Sequence, residues 1–310
     1  MMLKEDNIIE KIEKAIRVSE KYIGEGEVAT YIPELANVDP DGFALSIVTV
    51  DGKVYEFGDL DTVFSMQSIS KIISLTMALL DNGKELVFSK VGTEPTPYKF
   101  NSLIPIDDRA SNPLINAGAI TTASLIKGDD VDDRFDRVLT FVQKLAESEE
   151  VNFLYKVYNS EMKTTDVNRA ITYYLKSKGI FEKPVEEVLD LYIRDCSIGI
   201  KATELARLGS VFANGGKNSK GEQLISEDIV RIVLSQMASC GMYEESGRFL
   251  MEVGFPAKSG VSGAILGIVP GRCAIVTYSP RLDESGNSIR GKHLLDLLSD
   301  EIRLNIFLHE

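Results

Sequence analysis

Ser68 and Lys71 stand three residues apart. On a helix that spacing puts a hydroxyl and an amine on one face, one turn from each other. A serine becomes a nucleophile when a neighbour accepts its proton. Lysine can be that neighbour once burial or a nearby cation lowers its pKa from about 10.4 toward neutrality. Spacing alone does not single the pair out, because Ser124/Lys127 and Ser160/Lys163 repeat it. Position does: only Ser68 opens a mainly apolar helix directly after a strand pair, where helix N-terminal amides can also hold an oxyanion. The competing structural reading makes Ser68 a helix cap and Lys71 a snorkelling surface residue.

Other chemistries are removed by elimination. The only histidines, His293 and His309, fall in or next to the last predicted helix, which argues against a Ser-His-Asp triad or a histidine metal site. No Gly-x-x-x-x-Gly-Lys-Ser/Thr, Gly-x-Gly-x-x-Gly or Gly-x-Ser-x-Gly occurs. Lysine, tyrosine and carboxylates remain as bases. Lys258-Ser259-Gly260 then supplies a second element at the edge of a late strand, the place that Lys-Thr-Gly takes in serine β-lactamases and penicillin-binding proteins.

These groups need a scaffold. Ile8, Ile9, Ile12, Ala15, Ile16 and Val18 recur at helical spacing over 7–23, and 43–50 and 53–57 flank an Asp51-Gly52 hairpin signal. An apolar helix is predicted over 68–82 with Asn82-Gly83 as its stop, followed by a polar, proline-containing loop over 92–113. Helices are predicted at 115–126, 131–146, 165–178, 185–194, 203–214 and 227–237. Asp132, Thr165, Thr203 and Ser226 read as starts, and Gly179 and Gly215-Gly216 as stops. Strand signals return at 249–255, 263–269 and 273–278, and a last helix covers 292–307. Strands at both ends with helices between them imply an α+β fold, an antiparallel sheet flanked by the terminal helices plus an inserted all-helical domain. The expected division is 1–66 with 246–310 for the sheet part and 67–245 for the helical part, with the active cleft between them.

Composition narrows the setting. A net charge of -13 argues against nucleic acid as the main partner, since phosphate backbones are held by clustered Lys and Arg. Three scattered cysteines, Cys196, Cys240 and Cys273, form no disulfide framework and no thiolate metal site. The N-terminal segment, with Lys4, Glu5, Asp6, Glu10, Lys11, Glu13 and Lys14, lacks the apolar stretch of a signal peptide, and no segment is long and apolar enough to span a bilayer. A soluble, cytoplasmic protein without a cofactor or membrane partner is expected.

Gln67-Ser68-Ile69-Ser70-Lys71, the run from Asn112 to Ala119, Cys240-Gly241-Met242-Tyr243 and the run from Phe255 to Gly263, together with Tyr31-Ile32-Pro33-Glu34-Leu35, resemble the serine-dependent glutaminase family. The resemblance runs from about Gly24 to the final helix. It implies a β-lactamase-like fold, hydrolysis of L-glutamine to L-glutamate and ammonia without cofactor or metal, and a homotetramer. Carried over by position, Ser68 is the nucleophile and forms a glutamyl ester, Lys71 and Tyr243 move the proton, and the amides of Ser68 and Val261 form the oxyanion hole. Asn116, Glu161, Asn168 and Tyr192 hold the substrate's α-amino and α-carboxylate groups, Tyr31, Gln67 and Tyr243 line the pocket, and Lys258, Ser259 and Gly260 support it. From below, a free amino acid calls for one anion and neutral donors, and Glu161 and Asn168 share a face if their segment is one continuous helix. The rivals are a penicillin-recognising serine hydrolase and a non-catalytic glutamine-binding protein. The 92–113 loop is expected to gate the pocket.

Overall fold

A computed structural model of the protein describes residues 7–308; Lys4, Glu5, Asp6 and His309 lie outside that range. The larger sheet is built from apolar strands buried on both faces, with one partly exposed strand at its edge. Its five antiparallel strands run in the order β2 (Val54–Gly58), β1 (Ala44–Thr49), β8 (Cys273–Tyr278), β7 (Ala264–Val269) and β6 (Ala257–Ser259). Ala44, Val48, Leu266, Ile268, Ala274 and Val276 point to one face and join the main core. Their alternates Leu45, Ile47, Ile265, Val269 and Ile275 point to the other, against α1 (Ile8–Ser19) and α11 (Ile289–Glu301). Successive side chains on a strand face opposite ways, so each strand glues two layers at once. Each fully buried Leu or Ile contributes about 1.5–3 kcal/mol.

On the first face α8 (Ala202–Ala213) lies against β1, β7 and β8, with α4 (Val131–Ala146) behind it. The core continues through α7 (Val185–Cys196), α3 (Asn116–Leu125) and α2 (Ser70–Lys90). A second, three-stranded sheet of β3 (Phe64–Ser65), β5 (Ile198–Ile200) and β4 (Asn152–Phe153) was not anticipated. It pins the start of α2: Met66 N–H donates to the Ile198 carbonyl at 2.8 Å.

Several expectations are corrected. Residues 249–255 are not a strand: Ser246–Glu252 is α10, stopped by Gly254 at φ 81, and the strand follows Pro256. Phe249 and Val253, four apart, both enter the core beneath the sheet, which is a helical rather than an alternating pattern. Ser68 belongs to a 3-10 turn, Gln67–Ile69, that precedes α2. Gly83 breaks α2 at φ 77 as expected, but helix resumes to Lys90. A helix not foreseen, α5 (Tyr155–Thr164), ends at Thr165 before α6 (Asp166–Ser177), so Glu161 and Asn168 sit on different helices. The cap of α4 is Asp130 rather than Asp132, its carboxylate accepting from Asp133 N–H at 2.9 Å. The last helix begins earlier than 292 because Ser288 caps it, accepting from Gly291 N–H at 3.1 Å. α9 (Glu227–Cys240) starts at its predicted cap, Ser226. The three cysteines are free and buried. Among the described residues no helix is long and apolar enough to cross a membrane.

The contact between α8 and the sheet requires glycine at 209, where a Cβ would stand 2.7 Å from Leu266 Cδ1 and 2.8 Å from Ala274 Cβ. Gly209→Val should therefore cost about 1–3 kcal/mol by overpacking, read as a lower urea midpoint. An unchanged midpoint would mean that the helix can ride higher on the sheet.

Candidate active site

The turn that carries Ser68 is strained. Gln67 has φ 46, a left-handed conformation that costs a non-glycine residue about 1–3 kcal/mol and persists only where its surroundings impose it. Three hydrogen bonds impose it: Ile69 N–H to the Met66 carbonyl at 3.0 Å, Ser70 Oγ to the Gln67 carbonyl at 2.8 Å, and Gln67 Nε2 to Glu161 Oε2 at 3.3 Å. Strand β6 closes over the turn, and it does so through Gly260, where a Cβ would lie 2.8 Å from the Met66 carbonyl oxygen. Ser68 and Val261 are both buried.

Lys71 follows one turn later, 1% exposed. Its Nζ donates to Asn116 Oδ1 at 2.6 Å and to the Leu114 carbonyl at 3.4 Å, and sits 5.8 Å from the Phe100 ring centre. Burial brings its pKa down to about 8, opposed in part by the negative charge of Glu161. A neutral lysine amine has two N–H bonds and one lone pair. The two acceptors satisfy the N–H bonds and leave the lone pair for a proton from elsewhere.

Tyr243 enters from a second strained turn, with φ 55. Its hydroxyl interacts with the Ser68 side chain and donates to the Ser259 carbonyl at 3.4 Å. Burial pushes the phenol up to about 12, with the Ser68 contact pulling the other way. Lys258 lies beneath, fully buried, donating from Nζ to the same Ser259 carbonyl at 2.7 Å and facing the Tyr243 ring at 4.3 Å. Desolvation, then the nearby Lys71 cation, holds its pKa well below the lysine range.

The residues assigned to substrate binding gather beside these. Asn116 Nδ2 donates to Asn168 Oδ1 at 2.8 Å, and Asn168 Nδ2 to Thr165 Oγ1 at 3.1 Å. Glu161, 6% exposed, is pushed up to about 7 by burial, against the Gln67 hydrogen bond and the Lys71 charge. Tyr192 is buried, its pKa raised well above the phenol range first by burial and then by Cys196 and Glu161. Tyr31 is 54% exposed at the rim, with Tyr243 and Glu161 acting on its hydroxyl. A cavity of about 780 Å³ opens alongside, sharing Tyr31, Phe100 and Val261 with the cluster. Hydrogen bonds thus join nominated residues into three groups: Gln67 with Glu161, Lys71 with Asn116 and Asn168, and Ser68 with Tyr243, Ser259 and Lys258. Two members went unforeseen: Thr165, read only as a helix start, and Phe100, which packs on Tyr243 with ring centres 4.7 Å apart. Phe100 and Tyr98, the two aromatics of the polar, proline-containing loop, were the available signal. Among the described residues no cluster of metal-ligating side chains occurs.

The Glutaminase family profile matches residues 26–307. This chain belongs to the glutaminase family. Glutaminase 2 of Clostridium perfringens is 44% identical over 301 residues, covering 96% of this chain and 99% of that one. A solved structure of the probable glutaminase ybaS superposes with a TM-score of 0.91 at 39% identity, over 97% of this chain and 99% of the other. A Bacillus subtilis probable glutaminase solved with 6-diazo-5-oxo-L-norleucine gives 0.90 at 33% identity, over 98% and 99%. The activity of this glutaminase is hydrolysis of L-glutamine to L-glutamate and ammonia.

Glu161 yields a signed prediction. The folded protein holds its proton up to about pH 7 against 4.5 for the free side chain, so the native state binds the extra proton and stability is lost as pH rises through that window. Glu161→Gln removes the loss. The variant should be more stable than wild type at pH 8 by about 1–3 kcal/mol, with the gain gone below pH 4.5. Denaturant titrations at both pH values check this, and equal stability at pH 8 would show that Glu161 ionises without penalty.

Proposed function

We propose that glutamine hydrolysis here runs through a glutamyl ester on Ser68. The observation that supports the reading is the hydrogen-bond contact of the Tyr243 hydroxyl with the Ser68 side chain, with the buried amine of Lys71 one turn further along the chain. Lys71, with a pKa of about 8, is the base that takes the Ser68 proton as Oγ attacks the side-chain amide. Tyr243, protonated at neutral pH with a pKa of about 12, passes its proton to the departing ammonia and recovers one through Lys71. The Ser68 and Val261 amides receive the charge on the tetrahedral oxygen, a contribution of about 3–4 kcal/mol where such donors have been removed elsewhere. Water then attacks the ester with the same groups in reverse.

Substrate recognition follows from charge. Ionised Glu161 takes the α-ammonium; Asn116, Asn168 and Tyr192 supply neutral donors for the α-carboxylate; Gln67 orients Glu161, and Tyr31 closes the rim. Lys258, Ser259 and Gly260 fix the Val261 amide and the Tyr243 hydroxyl through the shared Ser259 carbonyl. The 92–113 loop is the gate, its Phe100 carbonyl accepting from Asn116 N–H at 2.8 Å while its ring covers Tyr243. The arrangement corresponds to a β-lactamase-like fold, with 1–66 and 246–310 as the sheet part and 67–245 as the helical part. A cytoplasmic homotetramer is the assembly this reading carries.

The test is release of ammonia and glutamate from L-glutamine by wild type and Ser68→Ala, with mass spectrometry after 6-diazo-5-oxo-L-norleucine. Wild type should release both products equally and carry an adduct on the Ser68 peptide. Ser68→Ala should lose about 10³-fold or more in kcat and carry none. Undiminished turnover by Ser68→Ala would assign the nucleophile elsewhere.

A further inference from the structure

Tyr243 is held in a left-handed conformation by a short turn that combines its own hydrogen bonds with contacts from elsewhere in the chain. Within the turn, Met242 N–H donates to Ser246 Oγ at 3.0 Å and Ser246 Oγ donates to the Tyr243 carbonyl at 2.7 Å. Glu245 N–H also donates to the Met242 carbonyl at 3.1 Å and Ser259 N–H to the Gly241 carbonyl at 3.3 Å, and a distant segment, the loop over 283–287 and the start of α11, adds further support. Asn287, fully buried, donates from Nδ2 to the Met242 carbonyl at 3.3 Å and to Glu245 Oε2 at 2.7 Å. Lys292 Nζ donates to the same Glu245 Oε2 at 2.6 Å and also to Asp283 Oδ2. Asp283 closes its own loop, Oδ1 accepting from Ser285 N–H at 2.9 Å and Asn287 N–H at 3.0 Å. The closed loop rests on the catalytic groups: a Cβ at Gly286 would lie 3.5 Å from Val261 Cγ1, 3.7 Å from Phe100 Cε1 and 3.8 Å from Tyr243 Cε2.

Two features separate this arrangement from an ordinary surface ion pair. Lys292 is the fourth residue of α11, in the helix's N-terminal turn, where the peptide dipoles disfavour a cation. It also lies between two carboxylates, all three side chains being 19–24% exposed. Without the cation, Glu245 and Asp283 repel each other, and the repulsion drives the 283–287 loop away from the Tyr243 turn.

We infer that Lys292 is a positioning residue for Tyr243: by bridging Glu245 and Asp283 it clamps the 283–287 loop onto the turn that aims the phenol at Ser68. The inference rests on the proposed role of Tyr243 as proton donor. The clamp's main effect is on turnover, because it touches Val261 and the Tyr243 turn and none of Glu161, Asn116 or Asn168, although Asp283 and Gly286 also line the neighbouring cavity.

Steady-state kinetics on Lys292→Met, Lys292→Arg, Glu245→Gln, the Lys292→Met/Glu245→Gln double variant and Tyr243→Phe test it, with thermal melts alongside. Lys292→Met should lower kcat about 10- to 100-fold, as misplacement of a reacting group by about 1 Å does, with KM within about twofold. Lys292→Arg should recover most of that loss. The double variant should recover part of it, because it removes the repulsion while the amide that replaces the Glu245 carboxylate keeps an oxygen for Asn287; a general destabilisation would instead deepen. Wild-type kcat in Lys292→Met beside an impaired Tyr243→Phe overturns the clamp and leaves the role of Tyr243 standing. Undiminished kcat in Tyr243→Phe overturns both. If Lys292→Met does not fold, Glu245→Gln alone must show a kcat loss without a KM change, and its absence overturns the inference.

Discussion

Lys71 places an amine where water does not reach, and much of the site is arranged around that fact. A buried ammonium is costly, and the protein lowers the cost in two ways. It supplies acceptors, Asn116 Oδ1 and the Leu114 carbonyl, and it lets the pKa fall to about 8 so that the neutral form is accessible. Both acceptors come from the segment where the 92–113 loop enters α3. That segment is itself tied down, since Asn112 Oδ1 receives the N–H groups of Leu114 and Ile115 at 3.0 and 3.2 Å. The amide that satisfies Lys71 is also bonded to Asn168, so Lys71, Asn116 and Asn168 share one network.

Burial has opposite consequences for the acids and bases it encloses. Lys71 and Lys258 are driven toward the neutral amine, Glu161 toward the neutral carboxyl and Tyr243 further into the phenol. One low-dielectric pocket thus holds an amine shifted down to about 8 beside a phenol shifted up to about 12. The same desolvation makes the site a weak point in stability. Asp195, pushed up to about 8 by burial and held by Ser74 Oγ at 2.9 Å, belongs to the same interior.

Ser68 and Tyr243, whose side chains meet, both come from tight turns containing a left-handed non-glycine residue. Neither turn is stable by local preference. The first is held by the three-stranded sheet, by Glu161 and by the close pass of Gly260; the second by Asn287 and the edge of β6. Sites built this way depend on elements far apart in sequence, because short-range hydrogen bonds alone do not hold such a conformation.

The sequence by itself determined a good part of this. Apolar runs, one alternating strand and period-3.6 patterning located β1, β2, β7, β8 and most helices, since burial is written directly into residue order. Several motifs in register with a known family pointed to that family and nominated candidate site residues. Local pattern failed where tertiary contact overrides it: 249–255 is apolar enough for a strand, yet Phe249 and Val253 are drawn into the core on a helical face. It also failed at 155–165, where a polar helix ends at Thr165 and puts Glu161 and Asn168 on separate helices. Their convergence is therefore made by packing, not by a shared helix face. Only the folded chain decided that Ser68 stands in a strained turn before its helix, that Lys71 is bonded to Asn116, and that the distant 283–287 loop rests on the Tyr243 ring. Those facts depend on long-range desolvation and contact, which residue order constrains but does not display.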